Sequence, residues 1–83
     1  MRNKLIHPKD LYVGQLVVSS THSESQVRTV GEIYDHGSIT VVWYEGTRKC
    51  GQTLDGRGWY TPTLKQIEYS IAANGPLVST KEC

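Results

Sequence analysis

Cations and aromatic side chains are concentrated between residues 44 and 60, and together they have the chemistry of a binding surface. Arg48 and Lys49 stand side by side, and Arg57 is followed closely by Trp59. Cations attract phosphate or carboxylate groups, while aromatic faces stack on bases or anchor a protein contact. The candidate binding residues are Tyr44, Arg48, Lys49, Arg57, Trp59 and Tyr60.

The same residues have a second interpretation that needs no ligand. Arg57 is close enough in sequence to Asp55 to be neutralised by it, and Trp59 is large and apolar enough to be core. An exposed Trp59 would instead be a natural anchor for a partner. An aromatic cage is a further alternative, and it requires convergence of Tyr34, Tyr44, Trp59 and Tyr60.

Catalytic and metal-binding chemistry is not indicated by the remaining polar residues. Asp35, His36 and Ser38 are the residue types of a hydrolytic triad, but neighbours in a turn point apart, and a triad needs a hydrogen-bonded series. The histidines are scattered, without the spacing that places metal ligands together. Gly56 and Gly58 lack the third glycine of a phosphate-binding fingerprint. We therefore predict no enzyme activity, no metal and no cofactor.

Composition limits the partners further. The chain has 83 residues and a formal net charge of +1, which gives one domain and no global attraction to nucleic acid. The longest apolar runs, such as Val41 to Trp43, are far shorter than the roughly 20 residues of a spanning helix. The first eight residues lack the apolar region of a secretory signal. These features predict a cytoplasmic location, and Cys50 and Cys83 as free thiols rather than a disulfide.

Short β-branched segments separated by turns predict an antiparallel, all-β domain. Gly31 permits a bulge that turns both Val30 and Ile33 inward, and Asp35 to Ser38 is a hairpin turn. The apolar content falls from Glu45 to Gly58, which favours a long basic loop, with an irregular hairpin inside it as an alternative. The predicted strands are 14–20, 27–35, 38–45, 58–61 and 66–70. The predicted core is Leu16, Val18, Val30, Ile33, Ile39, Val41, Leu64 and Ile67, with Trp43 also inside.

This order of elements resembles the SH3-like small barrels, the group that includes SH3, Tudor and KOW-type domains. The segments that carry the resemblance are 13–18, 30–33, 39–46 and 64–67. It implies a five-stranded antiparallel SH3-like barrel over 13–73, with a short 3-10 turn at 63–66, a lead-in over 1–12 and a flexible tail over 74–83. The polar 21–26 loop lacks the acidic and aromatic residues typical of proline-rich peptide binders.

The sequence therefore predicts a small non-enzymatic binding module that acts by protein–protein interaction. Brevity, the start at Met1 and the single domain favour a bacterial or phage accessory or regulatory protein. The alternative is a nucleic-acid-binding domain of the KOW or Tudor type that uses the basic and aromatic loop 48–60. The identity of the partner and the oligomeric state stay open.

Overall fold

The computed structural model describes residues 3–22 and 24–78. Within them the chain is mostly β-strand, with one 3-10 helix at Pro8–Asp10 and one α-helix. The elements are β1 (Lys4–Leu5), β2 (Leu16–Val17), β3 (Arg28–Ile33), β4 (Ser38–Glu45), β5 (Arg48–Asp55), β6 (Tyr60–Thr61) and α1 (Leu64–Asn74).

Strand β4 is the centre of the larger sheet and has the bounds that the sequence predicts. It pairs antiparallel with β3 on one side and with β5 on the other. The turn before it is closed by the Tyr34 N–H, which donates to the Ser38 carbonyl at 2.9 Å, and Gly37 supplies the positive φ of 94°. The predicted hairpin turn is therefore confirmed.

Strand β5 occupies most of the segment for which the sequence predicts a loop, so the loop is wrong and the alternative of a hairpin is closer to the structure. Gly46, with φ of 67°, and Thr47 form a two-residue turn that returns the chain along β4. Every residue from Arg48 to Asp55 then has a partner on β4, without a register shift. The segment is poor in apolar residues because it is an edge strand whose side chains are largely exposed.

The bulge at Gly31 is confirmed, but only half of its predicted effect follows. The β3–β4 register shifts between Val30 and Glu32, and Val30 is fully buried. Ile33, in contrast, is 40% exposed. Ile33 pairs with Ile39 of β4, but β2 pairs only with Arg28 and Thr29, so no described strand lies beside Ile33 on the other side.

The two sheets enclose one small core. Strands β1 and β6 form the second sheet, and Val18 bridges to Tyr60 to join it to the first. The predicted burial of Val18, Val30, Ile39 and Val41 is confirmed, and Trp43 packs half-buried against the cluster. Leu16 and Ile67 are only partly buried. The core cluster consists of Ile6, Leu11, Val17, Val30, Ile39, Val41 and Trp59.

Helix α1 replaces the last predicted strand, 66–70, which is therefore wrong. Thr63 caps its first turn: the hydroxyl accepts from the Gln66 N–H at 3.2 Å, and the Gln66 side chain accepts from the Thr63 N–H at 2.9 Å. Only one helical turn is predicted at this point, yet the helix continues to Asn74. Leu64, predicted to be core, lies on the solvent side and is 71% exposed.

The larger sheet is open rather than closed into a barrel. Its order is β2-β3-β4-β5, and β5 pairs with no described strand except β4. The predicted all-β, five-stranded barrel thus becomes two antiparallel sheets and a helix, and the resemblance to SH3-like barrels stays a prediction. The segment predicted as a flexible tail is packed at Val78, whose carbonyl accepts from Thr29 Oγ1 at 2.7 Å. The rest of that tail, 79–83, lies outside the described residues.

Candidate functional site

The six predicted binding residues do not form one surface. Arg48 and Lys49 begin β5, whereas Arg57 follows its other end. Because a strand rises about 3.3 Å per residue, the two ends of β5 are about 23 Å apart. Tyr44 is half-buried opposite Lys49, and the structure brings these two together. Tyr60 lies half-buried in β6, in the other sheet.

The two arginines among these residues are paired with carboxylates. Arg57 Nη2 lies 3.2 Å from Asp55 Oδ2. Hydrogen bonds from Arg57 hold the pKa of the Asp55 carboxyl below its usual value. Arg48 Nη2 lies 3.4 Å from Glu45 Oε1. A hydrogen bond from the Trp43 indole is the main cause of a lowered pKa at Glu45. Each arginine is therefore balanced by a neighbouring carboxylate, whereas Lys49 has no salt bridge among the described residues.

Trp59 is a core residue rather than an exposed anchor. Its side chain is only 3% exposed, and its indole N–H donates to the Asp55 carbonyl at 2.8 Å. The chain turns through Gly56 and Gly58 after β5, and Trp59 then enters the space between the two sheets. Of the two interpretations of Trp59, the structure supports the core residue and contradicts the exposed one.

Arg28 and Trp43 form a stacked pair that the sequence does not predict. The Arg28 guanidinium carbon lies 4.3 Å from the centre of the Trp43 ring, and Arg28 Nε is buried without a hydrogen-bond partner among the described residues. Burial lowers the Arg28 pKa, against the opposing effect of Glu45. The two residues meet because of the register between β3 and β4. The sequence does not predict this register, because a bulge interrupts the pairing of the two strands. Arg28 therefore covers one face of the Trp43 ring.

Along β5, the backbone N–H and carbonyl groups of successive residues point alternately toward β4 and away from it. One hydrogen bond establishes which residues direct these groups outward, away from β4. The Gly56 N–H donates to the Gly37 carbonyl at 2.9 Å, so these two residues form a hydrogen-bonded pair. Because such pairs alternate along an antiparallel ladder, the next pair, Ser38 and Asp55, is not hydrogen-bonded. Asp55 therefore directs its own N–H and carbonyl away from β4. The same holds for alternate residues along the strand, namely Thr53, Gly51 and Lys49.

The outward edge of β5 is closed at one end and open along the rest. The Asp55 carbonyl accepts from Trp59, as its outward direction requires. No described segment donates to or accepts from the outward groups of Lys49, Gly51 and Thr53. All three residues are exposed. Natural edge strands are usually blunted by proline, a bulge, a short length or charge, and among these β5 has only Lys49 and terminal charges.

Other kinds of site are less developed in the described residues. An open depression of about 220 Å³ is lined by Pro8, His36, Gly37, Ser38, Asp55 and Arg57. This volume is below the range of roughly 300–1,000 Å³ that small-molecule pockets occupy. Residues 3–22 and 24–78 contain no cluster of three metal-ligating side chains and no helix able to cross a membrane. No protein-family model, curated protein or solved structure matches the chain.

Proposed function

We propose that the chain is a non-enzymatic protein-binding module that takes an extended segment of a protein as an additional strand on β5. The observation that carries the proposal is the unpaired, outward-facing backbone of Lys49, Gly51 and Thr53. Main-chain hydrogen bonds supply affinity in strand addition, and alternate side chains supply specificity.

The side chains around the edge define what such a segment meets. On one face lie Lys49, with Tyr44 beside it, and Thr53, whose hydroxyl is 3.0 Å from Thr40 Oγ1. On the opposite face lie Cys50, Gln52 and Leu54. Lys49 favours an acidic residue directly opposite, because opposite charges in cross-strand pairs stabilise a sheet.

Nucleic-acid binding is the alternative function, and the geometry supports it less. Its basis in the sequence is a run of cations and aromatic residues in one loop. The structure instead separates Arg48 from Arg57 along β5 and pairs each arginine with a carboxylate. Stacking on bases needs an exposed aromatic face, whereas Trp59 is buried.

We expect a display library of random linear peptides to yield binders that depend on the β5 edge. Thr53→Pro removes an outward N–H while leaving the β4–β5 hydrogen bonds in place, and it should weaken binding about tenfold or more. Thr53→Ala is the matched control, because it keeps the N–H and loses the same hydroxyl. Titration of each variant with a selected peptide measures the difference.

The same selection distinguishes the two functions when a pool of single-stranded oligonucleotides is offered in parallel. Enrichment of oligonucleotides, with binding that weakens steeply in salt and is lost in Arg48→Ala, would contradict strand addition. Peptides that bind Thr53→Pro as tightly as Thr53→Ala would also contradict it.

A further inference from the structure

We propose that the segment bound at β5 is the β5 strand of a second copy of this chain, antiparallel to the first around a two-fold axis. The inference rests on the proposed function, since it uses the same edge. Isologous pairing of this kind needs a self-complementary surface. The distribution of charge along β5 provides one, with Lys49 near one end and the Asp55 carboxylate, which also pairs with Arg57, at the other.

The direction of the backbone limits the registers that two β5 strands can adopt. Outward groups bond only to outward groups, so each of Lys49, Gly51, Thr53 and Asp55 must face a residue of this same set where the strands overlap. Two such registers overlap nearly the whole strand. One places Gly51 opposite Gly51, and the other places Gln52 opposite Gln52.

Charge and burial favour the register centred on Gln52. It places Lys49 opposite Asp55 at both ends of the interface and Gly51 opposite Thr53 within it. The register centred on Gly51 instead places Lys49 opposite Thr53 and leaves Asp55 opposite the turn residue Thr47.

The other face of the interface agrees with this choice. Cys50 and Leu54, both half-buried in the single chain, would lie opposite one another and gain cover. The Gln52 side chains would meet at the two-fold axis, where the amides have the donors and acceptors to bond each other. The Asp55 carbonyl already accepts from Trp59, so the main-chain bonds of the interface are centred on Gly51 and Thr53. The product is one continuous sheet in which β5 is no longer an edge.

Cysteine substitutions test the register directly. In a background with Cys50→Ala and Cys83→Ser, we expect Gln52→Cys to form a disulfide-linked dimer under mild oxidation. Residues in a non-hydrogen-bonded pair at the axis have Cα atoms about 4.5 Å apart, which a disulfide can span. Gly51→Cys should form no disulfide-linked dimer in the same conditions, because Gly51 lies opposite Thr53. A disulfide-linked dimer formed by Gly51→Cys and not by Gln52→Cys would overturn the proposal.

Sedimentation equilibrium of the full chain, without introduced cysteines, tests the association itself. The unmodified chain and Thr53→Ala should form a dimer, and Thr53→Pro should raise the dissociation constant about tenfold or more. Lys49→Glu, which places a carboxylate opposite Asp55, should also weaken the dimer, and most at low salt. It leaves the backbone unchanged, so it is decisive even where Thr53→Pro fails to fold.

The outcomes separate this inference from the proposed function. A monomer at every concentration that still binds selected peptides through Thr53 would overturn the dimer and leave the binding module intact. A dimer insensitive to both Thr53→Pro and Lys49→Glu would overturn the dimer proposal, because the interface would then lie away from β5.

Discussion

Replacement of Trp59 by alanine is expected to cost about 3–5 kcal/mol of the free energy of unfolding. The indole is almost fully buried in the core between the two sheets, and its N–H satisfies the outward carbonyl of Asp55 at 2.8 Å. Alanine leaves a cavity and an unpaired acceptor. Domains of this size have roughly 5–15 kcal/mol of stability, so the loss is a large part of the total. Urea unfolding followed by circular dichroism measures it.

Trp59→Phe is the control that separates the two contributions. Phenylalanine keeps most of the buried volume but donates no hydrogen bond, so its cost should be smaller, about 1–3 kcal/mol. A Trp59→Ala chain that unfolds at the same urea concentration as the unmodified protein would contradict the core assignment.

Replacement of Gln66 by leucine is expected to be the second most damaging change, at about 2–4 kcal/mol. The side chain is 1% exposed and joins three segments. Its Oε1 accepts from Asn3 Nδ2 at 2.6 Å and from the Thr63 N–H at 2.9 Å, and its Nε2 donates to the His22 carbonyl at 2.6 Å. Leucine has a similar size but satisfies none of these groups.

Thermal unfolding of Gln66→Leu beside Lys65→Leu isolates the role of the hydrogen bonds. Lys65 is the preceding residue of α1 and is exposed, so its replacement should change stability by no more than about 0.5 kcal/mol. Equal melting temperatures for the two variants would show that the Gln66 bonds contribute nothing.

The parts of the fold that the sequence predicts well are those determined by neighbouring residues. Strand β4 alternates between a buried face with Ile39 and Val41 and a second face that is half-exposed. The turn at Gly37 follows from the conformational freedom of glycine, which has a φ of 94° there, and the bulge lies at Gly31 as predicted. These features need no knowledge of what packs on them.

The errors occur where partners distant in sequence decide the structure. Strand β5 has little apolar character of its own and exists through its pairing with β4. The sequence predicts only one turn of helix α1 because Ile67 and Tyr69 fit a strand, although the Thr63 to Gln66 capping box is visible in the sequence. Its buried face includes two polar residues, Gln66 and Ser70, which hydrophobic patterning does not detect.

The sequence places the candidate site on the side chains of the 44–60 segment, whereas the site that we propose uses the main chain of β5 within it. The sequence indicates Arg48, Lys49 and Arg57 because they are charged. The two arginines are paired with neighbouring carboxylates in the structure. Main-chain groups of Lys49, Gly51 and Thr53 have no hydrogen-bond partner among the described residues. Which backbone groups face outward depends on the β4–β5 register, and side-chain chemistry does not report it.

Amide hydrogen exchange along β5, measured by NMR at single-residue resolution, tests the open edge most directly. In dilute protein the account predicts alternation: slow exchange at Cys50, Gln52 and Leu54, whose N–H groups bond to β4, and fast exchange at Lys49, Gly51 and Thr53. With a saturating selected peptide, or at concentrations that favour the dimer, Gly51 and Thr53 should become protected. Uniform protection in dilute monomer, or fast exchange at Gly51 and Thr53 in every saturated complex, would contradict the assignment of this edge as the binding surface.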